Sequence, residues 1–203
     1  MARRAEIPEP VATAVACLAS GEKAEIARAH GLLQDAVLGR QGCLRTDMPQ
    51  RVAWAEAAWG EFISLLGHEN NHVRSIAGQM LSNLSQSADL DTALRDLPKV
   101  VAATRDEMFV TARHILQAIW KVGLGPENLR KAMLAELTQR FEDSGAEKNS
   151  TLIRFDIVTA LRTLYDRSAD PLVMWTARQL IALEDDAKYR KKYASVWRDL
   201  IDG

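Results

Sequence analysis

The sequence predicts an all-helical protein, and three observations support this fold class. Apolar residues recur at spacings of three and four, as in Val52, Ala55 and Trp59, which places them on one face of a helix. Almost no segment shows the period-two alternation of a half-buried strand, and no Asn-Gly or Asp-Gly turn lies between two such runs. Helix-stopping signals divide the chain at regular intervals. We therefore expect helices throughout.

Capping residues mark the predicted helix starts. Asp47 and Asp170 each lie just before a proline near the first helical position, where the missing proline N–H costs nothing. Asn70 and Asp186 offer side-chain oxygens to unpaired N–H groups at two further starts. The predicted helices span residues 9–19, 22–38, 49–66, 70–86, 90–103, 107–122, 126–142, 149–166, 171–184 and 187–201.

These ten helices are joined by short turns, which predicts five antiparallel hairpins, with a loop at 39–48 setting the first apart. The later hairpins start about 36 to 45 residues apart, a period typical of helix pairs that stack into a solenoid. One pattern also occurs three times. Val73-Arg74-x-x-Ala77-x-x-x-Leu81-x-x-Leu84 aligns with residues 108–119 and with residues 153–164.

This repeat resembles those of the HEAT-type α-solenoids. The stretch 66–77 is similar to the turn and second helix of a HEAT repeat, with Arg74 after an aliphatic residue and Ala77 three residues further on. Pro98 is similar to the proline that bends the first helix of many such repeats, and by its chemistry it must kink or break its helix. Phe109 departs from the pattern, because it stands where the other two copies have an arginine.

The resemblance covers residues 49–201 and implies a right-handed α-α superhelix of about five antiparallel pairs. Residues 1–203 are then a single domain, in which 1–48 form an N-terminal helical cap and 49–201 about four HEAT-like pairs. The resemblance also implies that Arg74 and Arg154 stabilise turns between adjacent repeats.

Charge and cysteine content exclude several classes of protein. The chain has 26 Lys and Arg against 27 Asp and Glu, which argues against nonspecific binding to a phosphate backbone. Its two cysteines, Cys17 and Cys43, cannot form a disulfide framework or a four-thiolate zinc site, and they favour the reducing cytoplasm. The longest apolar run, 11–19, is less than half of the roughly 20 residues that a membrane-spanning helix needs.

Two local motifs admit a chemical and a structural interpretation. His68-Glu69-Asn70-Asn71-His72 matches the H-E-x-x-H pattern of zinc proteases, which requires one helix through all five residues. Gly67 and the asparagine pair instead indicate a turn and a helix cap, so no metal site is predicted. Segment 188–193 mixes four cations with two tyrosines, as nucleic-acid sites do. The preceding acids oppose its field, so we expect Tyr189 and Tyr193 to face the core.

The five tryptophans, Trp54, Trp59, Trp120, Trp175 and Trp197, are expected to belong mostly to the core. Trp54 lies off its helix's apolar stripe, and packing on helix 22–38 is favoured over exposure to a partner. No nucleophile elbow, phosphate-binding loop or dinucleotide fingerprint is present in the sequence. No catalytic residue and no cofactor are therefore predicted.

The second helices of a solenoid's pairs commonly line a concave binding face. The residues predicted there share a polar character, a mixture of charge signs and many amide groups: Gln79, Asn83, Arg113, His114, Gln117, Lys121, Arg162 and Asp166. Such a row suits a protein or peptide better than a phosphate backbone, although a merely solvated face has the same composition.

Two functions from different classes lead at this point, ahead of a metal hydrolase at His68 and His72 and of a chromophore lyase like the HEAT-like pigment lyases, for which no residue gives a signal. The first is a non-enzymatic interaction module that binds a protein or peptide on the concave face. The second follows from the resemblance, because some HEAT-like repair proteins are DNA glycosylases, which need a basic groove with an aromatic residue and a carboxylate. No continuous basic stripe is evident in this sequence.

Overall fold

The computed structural model describes residues 5–41 and 44–201, and within them the chain is almost entirely helical. The helices pack around one hydrophobic core. Their bounds are α1 Glu9–Ser20, α2 Lys23–Val37, α3 Ala55–Leu65, α4 Asn71–Leu84, α5 Leu90–Ala102, α6 Phe109–Ala118, α7 Glu127–Asp143, α8 Ser150–Ser168, α9 Pro171–Ala182, α10 Ala187–Ser195 and α11 Arg198–Ile201. Three 3₁₀ segments extend α5, α6 and α7, at Ala103–Arg105, Ile119–Leu124 and Ser144–Ala146. The all-α prediction is confirmed.

Three predicted helix boundaries differ from the structure. The helix predicted from 49 begins only at Ala55, and the helix predicted over 107–122 changes to 3₁₀ geometry after Ala118. The predicted helix 187–201 is divided into α10 and α11. Helix α5 continues through Pro98 as far as Ala102, so this proline does not break its helix.

The loop predicted at 39–48 is wrong, because the chain forms an antiparallel hairpin there. Strand β1, Leu38–Gln41, pairs with β2, Leu44–Pro49. The Thr46 hydroxyl donates to the Gly39 carbonyl at 2.9 Å, which ties the two strands together beyond their ladder. Asp47 on β2 also pairs with Arg167 at the end of α8, with Oδ2 and Nη2 2.9 Å apart. This exposed pair connects the hairpin to the later part of the chain.

Helices α2 to α9 form two rows. The second helices of the pairs, α2, α4, α6 and α8, each contact the next one in order. The first helices α3, α5, α7 and α9 likewise follow one another on the other side of the core. The consequence is that each row gathers side chains from distant parts of the sequence onto one face.

The largest buried side chains close the C-terminal end of the core. Trp197 and Tyr193 are fully buried, and each has a partner for its polar atom: the Trp197 indole donates to the Val158 carbonyl and the Tyr193 hydroxyl to the Thr151 carbonyl. Trp54 is buried, as the favoured packing interpretation requires. Trp175 is the exception to the predicted tryptophan core, since 58% of it is exposed.

Three arginine side chains join the turns between paired helices in series. Arg74 on α4 donates to the His68 and Glu69 carbonyls of its own turn, both at 2.9 Å. Its Nε and Nη2 atoms also donate to Oδ2 and Oδ1 of Asp106, at 2.6 and 2.9 Å. Asp106 lies in the turn between α5 and α6, so this ion pair joins two successive turns.

Arg154 on α8 repeats this arrangement two pairs later. Its Nε donates to the Phe141 carbonyl and the Ser144 hydroxyl of its own turn, and its Nη1 to Glu184 in the following turn at 3.0 Å. The prediction that Arg74 and Arg154 stabilise turns between adjacent pairs is confirmed.

The middle bridge comes from the opposite row of helices. Phe109 occupies the position equivalent to Arg74 and cannot form such an ion pair. The fully buried Arg140 of α7 forms the contact between turns at this place instead. Its guanidinium donates to the Thr104 hydroxyl and carbonyl in the α5–α6 turn, and pairs with Glu147 after α7 at 2.7 and 3.0 Å. Arg74, Arg140 and Arg154 are called the arginine bridges below.

Helices α4 and α6 approach closely at Gly78. A Cβ atom placed there would lie 2.7 Å from Cγ1 of Ile115, which is fully buried and stiff because it is β-branched. We expect Gly78→Ala to destabilise the protein by about 1–3 kcal/mol through overpacking. Gly60→Ala, in α3 with nothing within 4 Å, serves as the control. It should raise the free energy of unfolding in urea by about 0.5–1 kcal/mol, and equal effects would contradict the close approach.

The first arginine bridge should make stability depend on acid pH. Burial alone would raise the pKa of the Asp106 carboxyl, but its hydrogen bonds from Arg74 and the Met108 amide hold that pKa below its ordinary value. A lowered folded-state pKa contributes stability above the unfolded-state pKa of about 4, and this stability is lost as the pH falls through the folded-state value. We expect Asp106→Asn to cost about 2 kcal/mol at pH 7, and the difference from wild type to shrink below about pH 4.

Glu127→Gln is the matched control for this measurement, because Glu127 forms an exposed pair with Lys131 on α7. It should change the urea unfolding midpoint little at any pH. A difference between wild type and Asp106→Asn that stays constant from pH 7 to about pH 3 would show that the carboxylate's charge is not what joins the two turns.

Candidate binding groove

A groove of about 470 Å³ lies on the face of the second helices. Its walls come from α2 and α4, and His114 of α6 closes one end. The residues that line it are Lys23, Ile26, Ala27, His30, Asn70, His72, Ser75, Ile76, Gln79 and His114. Two residues of the predicted face, Gln79 and His114, are therefore brought together in one concave site.

The two walls use the same helical spacing. Lys23, Ile26, Ala27 and His30 on α2 follow an i, i+3, i+4, i+7 pattern, and residues 72, 75, 76 and 79 on α4 repeat it. Such positions share one face of a helix. Each wall has an isoleucine in its middle, Ile26 or Ile76, and polar residues at its ends, so the groove has an aliphatic floor and a polar rim.

Hydrogen bonds hold the rim in place. The Gln79 amide donates to the carbonyl and hydroxyl of Ser75, at 3.2 and 3.1 Å. The Ser75 hydroxyl also lies 3.2 Å from Nδ1 of His114, which connects α4 to α6. On α2, the Gln34 amide lies 2.7 Å from Nε2 of His30. The rim is thus ordered by the protein itself, and His72 and His114 are exposed.

The other predicted face residues pair with protein groups outside the groove. Arg113 forms a two-pronged pair with the buried Asp156 of α8, at 2.6 and 2.9 Å. Asn83 is buried and accepts from the Lys121 ammonium at 2.8 Å. Burial lowers the pKa of Lys121. These contacts join neighbouring second helices to one another.

Arg162 and Asp166 lie near the C-terminal end of the same face. Arg162 pairs with Asp166 at 2.8 Å and with Asp199 at 2.5 and 2.8 Å, and its guanidinium lies over the Trp197 ring. These hydrogen bonds to carboxylates raise the pKa of Arg162. Gln117 on α6 is exposed. Most of the predicted row therefore consists of local pairs, and Gln79 and His114 are its members that line the groove.

The turn interpretation of the 68–72 segment is confirmed. Helix α4 begins at Asn71, and Asn70 caps it by accepting from the His72 amide at 2.9 Å. Nδ1 of His68 accepts from the Asn70 amide at 3.0 Å, and its Nε2 lies 3.4 Å from the Ala19 carbonyl. His68 and His72 thus lie on either side of a helix start, which is not the geometry of a metalloprotease helix.

The structure also distinguishes the two faces of segment 188–193. The Asp186 side chain caps α10 through the Lys188 amide at 2.8 Å, and Tyr193 is fully buried, as predicted. Burial, followed by the nearby Glu184 carboxylate, raises the pKa of the Tyr193 hydroxyl. Tyr189 is half-buried, and the four cations of the segment are exposed.

Two groups of site residues were not predicted from the sequence. The α2 wall was assigned to an N-terminal cap, although its spacing from Lys23 to His30 repeats that of α4. A second groove, of about 380 Å³, lies between α7 and α9 and includes Trp175 and Leu183, which are 58% and 49% exposed. The signal for it was a second apolar set on α9, from Leu172 through Trp175 to Leu183.

Among the described side chains, no group of three or more His, Cys, Asp or Glu is placed to hold a metal ion. The helices of residues 5–41 and 44–201 include none with the length and apolar character needed to cross a bilayer. Comparisons with protein-family models, with curated proteins and with solved structures found no match to this chain.

The two histidines of the 68–72 segment should affect stability differently. We expect His68→Ala to lower the free energy of unfolding by about 1 kcal/mol, because its ring nitrogens contact the Asn70 amide and the Ala19 carbonyl. His72→Ala should change it by less than about 0.5 kcal/mol, since that side chain is exposed. Thermal unfolding with and without added zinc gives the decisive comparison. A zinc-dependent rise in melting temperature that either substitution removes would support the metal interpretation instead.

Proposed function

We propose that this protein is a HEAT-like, right-handed α-solenoid that acts as a non-enzymatic interaction module and binds a protein or peptide on the face of its second helices. The observation that carries the proposal is the groove between α2 and α4, which combines an aliphatic floor with an ordered polar rim. Such a surface, with a few placed polar groups around an apolar centre, suits a side chain of a partner and its neighbouring backbone.

The packing of the helices supports the solenoid part of the proposal. Two rows of helices, each in sequence order, and arginine bridges that link turn to turn are what a stack of similar helix pairs requires. In such a stack each pair contacts mainly its neighbours, so a concave row of second helices forms a continuous surface. The low cysteine content supports the cytoplasm as its place of action.

The face also extends beyond the groove. Val110 lies one helical turn before His114 on α6, and 58% of it is exposed. An extended segment seated between α2 and α4 would meet Val110 as it continues toward α6. The proposed surface therefore has a second apolar contact in line with the first.

The alternative of a DNA glycosylase receives less support from the charges. The cations on this face, Arg113, Lys121 and Arg162, are each bound to a carboxylate or an amide oxygen of the protein itself. A phosphate backbone would have to compete with those partners, whereas nonspecific DNA binding draws its affinity from cations that gain phosphate contacts.

Filling the groove tests the proposal. Ala27 is exposed on the groove's floor, so Ala27→Trp should block it without entering the core. Ala12→Trp introduces the same side chain on an exposed position of α1, outside the groove. We expect partners captured by the wild type from an extract to be reduced about tenfold or more with Ala27→Trp and retained with Ala12→Trp.

Capture that is the same for both variants would overturn the proposed face. Fluorescence anisotropy with a labelled DNA duplex completes the experiment. Tight DNA binding that Ala27→Trp or Arg113→Ala abolishes would favour the glycosylase class, and it would be followed by a base-excision assay.

A further inference from the structure

We propose that the groove between α2 and α4 recognises an acidic peptide, in which a carboxylate side chain lies beside an aliphatic one. This inference rests on the proposed function and specifies the partner's chemistry. It follows from the charge of the groove's rim and the shape of its floor.

The titratable groups that line the groove are all bases. They are Lys23 and His30 from α2, His72 from α4 and His114 from α6, and no Asp or Glu is among the lining residues. Three of the chain's four histidines lie in this lining beside one lysine. A lining that holds a cation and imidazoles but no acid complements a negative ligand.

Two helix starts lie at one end of the groove. Lys23 is the first residue of α2, and Asn70 and His72 lie at the cap and the second position of α4. The first turn of an α-helix carries partial positive charge from its N–H groups. A carboxylate placed at this end would meet Lys23 and the His72 imidazole. The two helix starts beside them already have acceptors of their own, because Asn70 caps α4 and Glu22 and Glu25 lie at the start of α2.

The floor determines what must accompany the carboxylate. Ile26 and Ile76 are almost fully buried, and with Ala27 they form an aliphatic surface between the two walls. Gln79 and His114 at the far end present an amide and an imidazole that can bind a peptide backbone. A peptide with an aliphatic residue next to an acidic one would place the aliphatic side chain on the floor and the carboxylate at the basic rim.

Three fluorescein-labelled peptides of equal length test this inference with the full-length protein. They share Gly and Ser flanks and differ only in the residues on both sides of one leucine, which are Glu, Gln or Lys. We expect the Glu peptide to bind about tenfold more tightly than the Gln peptide, which is the size of one charge-assisted hydrogen bond. The Lys peptide should bind most weakly.

Four variants locate the binding. Ala27→Trp should abolish binding of the Glu peptide, and Lys23→Ala and His72→Ala should each reduce it several-fold. Lys188→Ala removes an exposed cation from α10, outside the groove, and should leave the affinity unchanged. Unfolding curves measured for each variant separate lost binding from lost structure.

Several outcomes would overturn the inference. Equal affinity for the Glu and Gln peptides, both blocked by Ala27→Trp, would show that the groove binds peptides without regard to charge, and the proposed function would survive. Glu-peptide binding that persists in Ala27→Trp would place the acidic site elsewhere. Failure of all three peptides to bind would reject the acidic ligand, while the capture experiment decides the proposed function separately.

Discussion

The pairing of buried guanidinium groups with carboxylates in neighbouring turns is the constraint on which this architecture depends. The arginine bridges place charges where water reaches them little or, at Arg140, not at all, and a buried charge is tolerated only when its hydrogen bonds are completed. The fully buried Arg140 meets this condition through Thr104 and Glu147. Because both partners lie in turns of adjacent helix pairs, the requirement fixes the spacing of those pairs.

The groove lies next to one of the contacts that tie the second helices together. Along the face, Arg113 with Asp156 joins α6 to α8, and Lys121 with Asn83 joins the end of α6 to α4. Helices α2 and α4 are joined at the turns that precede them, where the side-chain amide of Asn70 donates to the Gly21 carbonyl. This contact lies at the N-terminal ends of α2 and α4, and the groove extends from there along the two helices.

Local signals were sufficient to predict much of the fold and only part of the site. The Asn70 cap depends on short-range chemistry, so the sequence pattern predicted it. The roles of Arg74 and Arg154 followed instead from the resemblance to a known repeat, because their carboxylate partners lie 32 and 30 residues away. The β-hairpin was missed because its strands, Leu38–Gln41 and Leu44–Pro49, lack the alternation of apolar and polar residues by which strands are predicted. Sequence spacing likewise placed Arg113 and Arg162 on the face, but it could not show that carboxylates already bind them.

Arg140 shows how a series of helix pairs can keep a turn-to-turn contact when the residue at the usual position changes. Because this arginine reaches the α5–α6 turn from the first row of helices, position 109 on the second row is free to carry a phenylalanine. That ring lies beneath the Arg113 guanidinium, 5.8 Å from ring centre to the guanidinium carbon, while Arg113 binds Asp156. Position 109 therefore supports the Arg113–Asp156 contact between the second helices α6 and α8, whereas the equivalent position 74 supports a contact between turns. Repeats that look degenerate in sequence can therefore preserve the same interaction through a different side chain, and matching by position alone would overlook it.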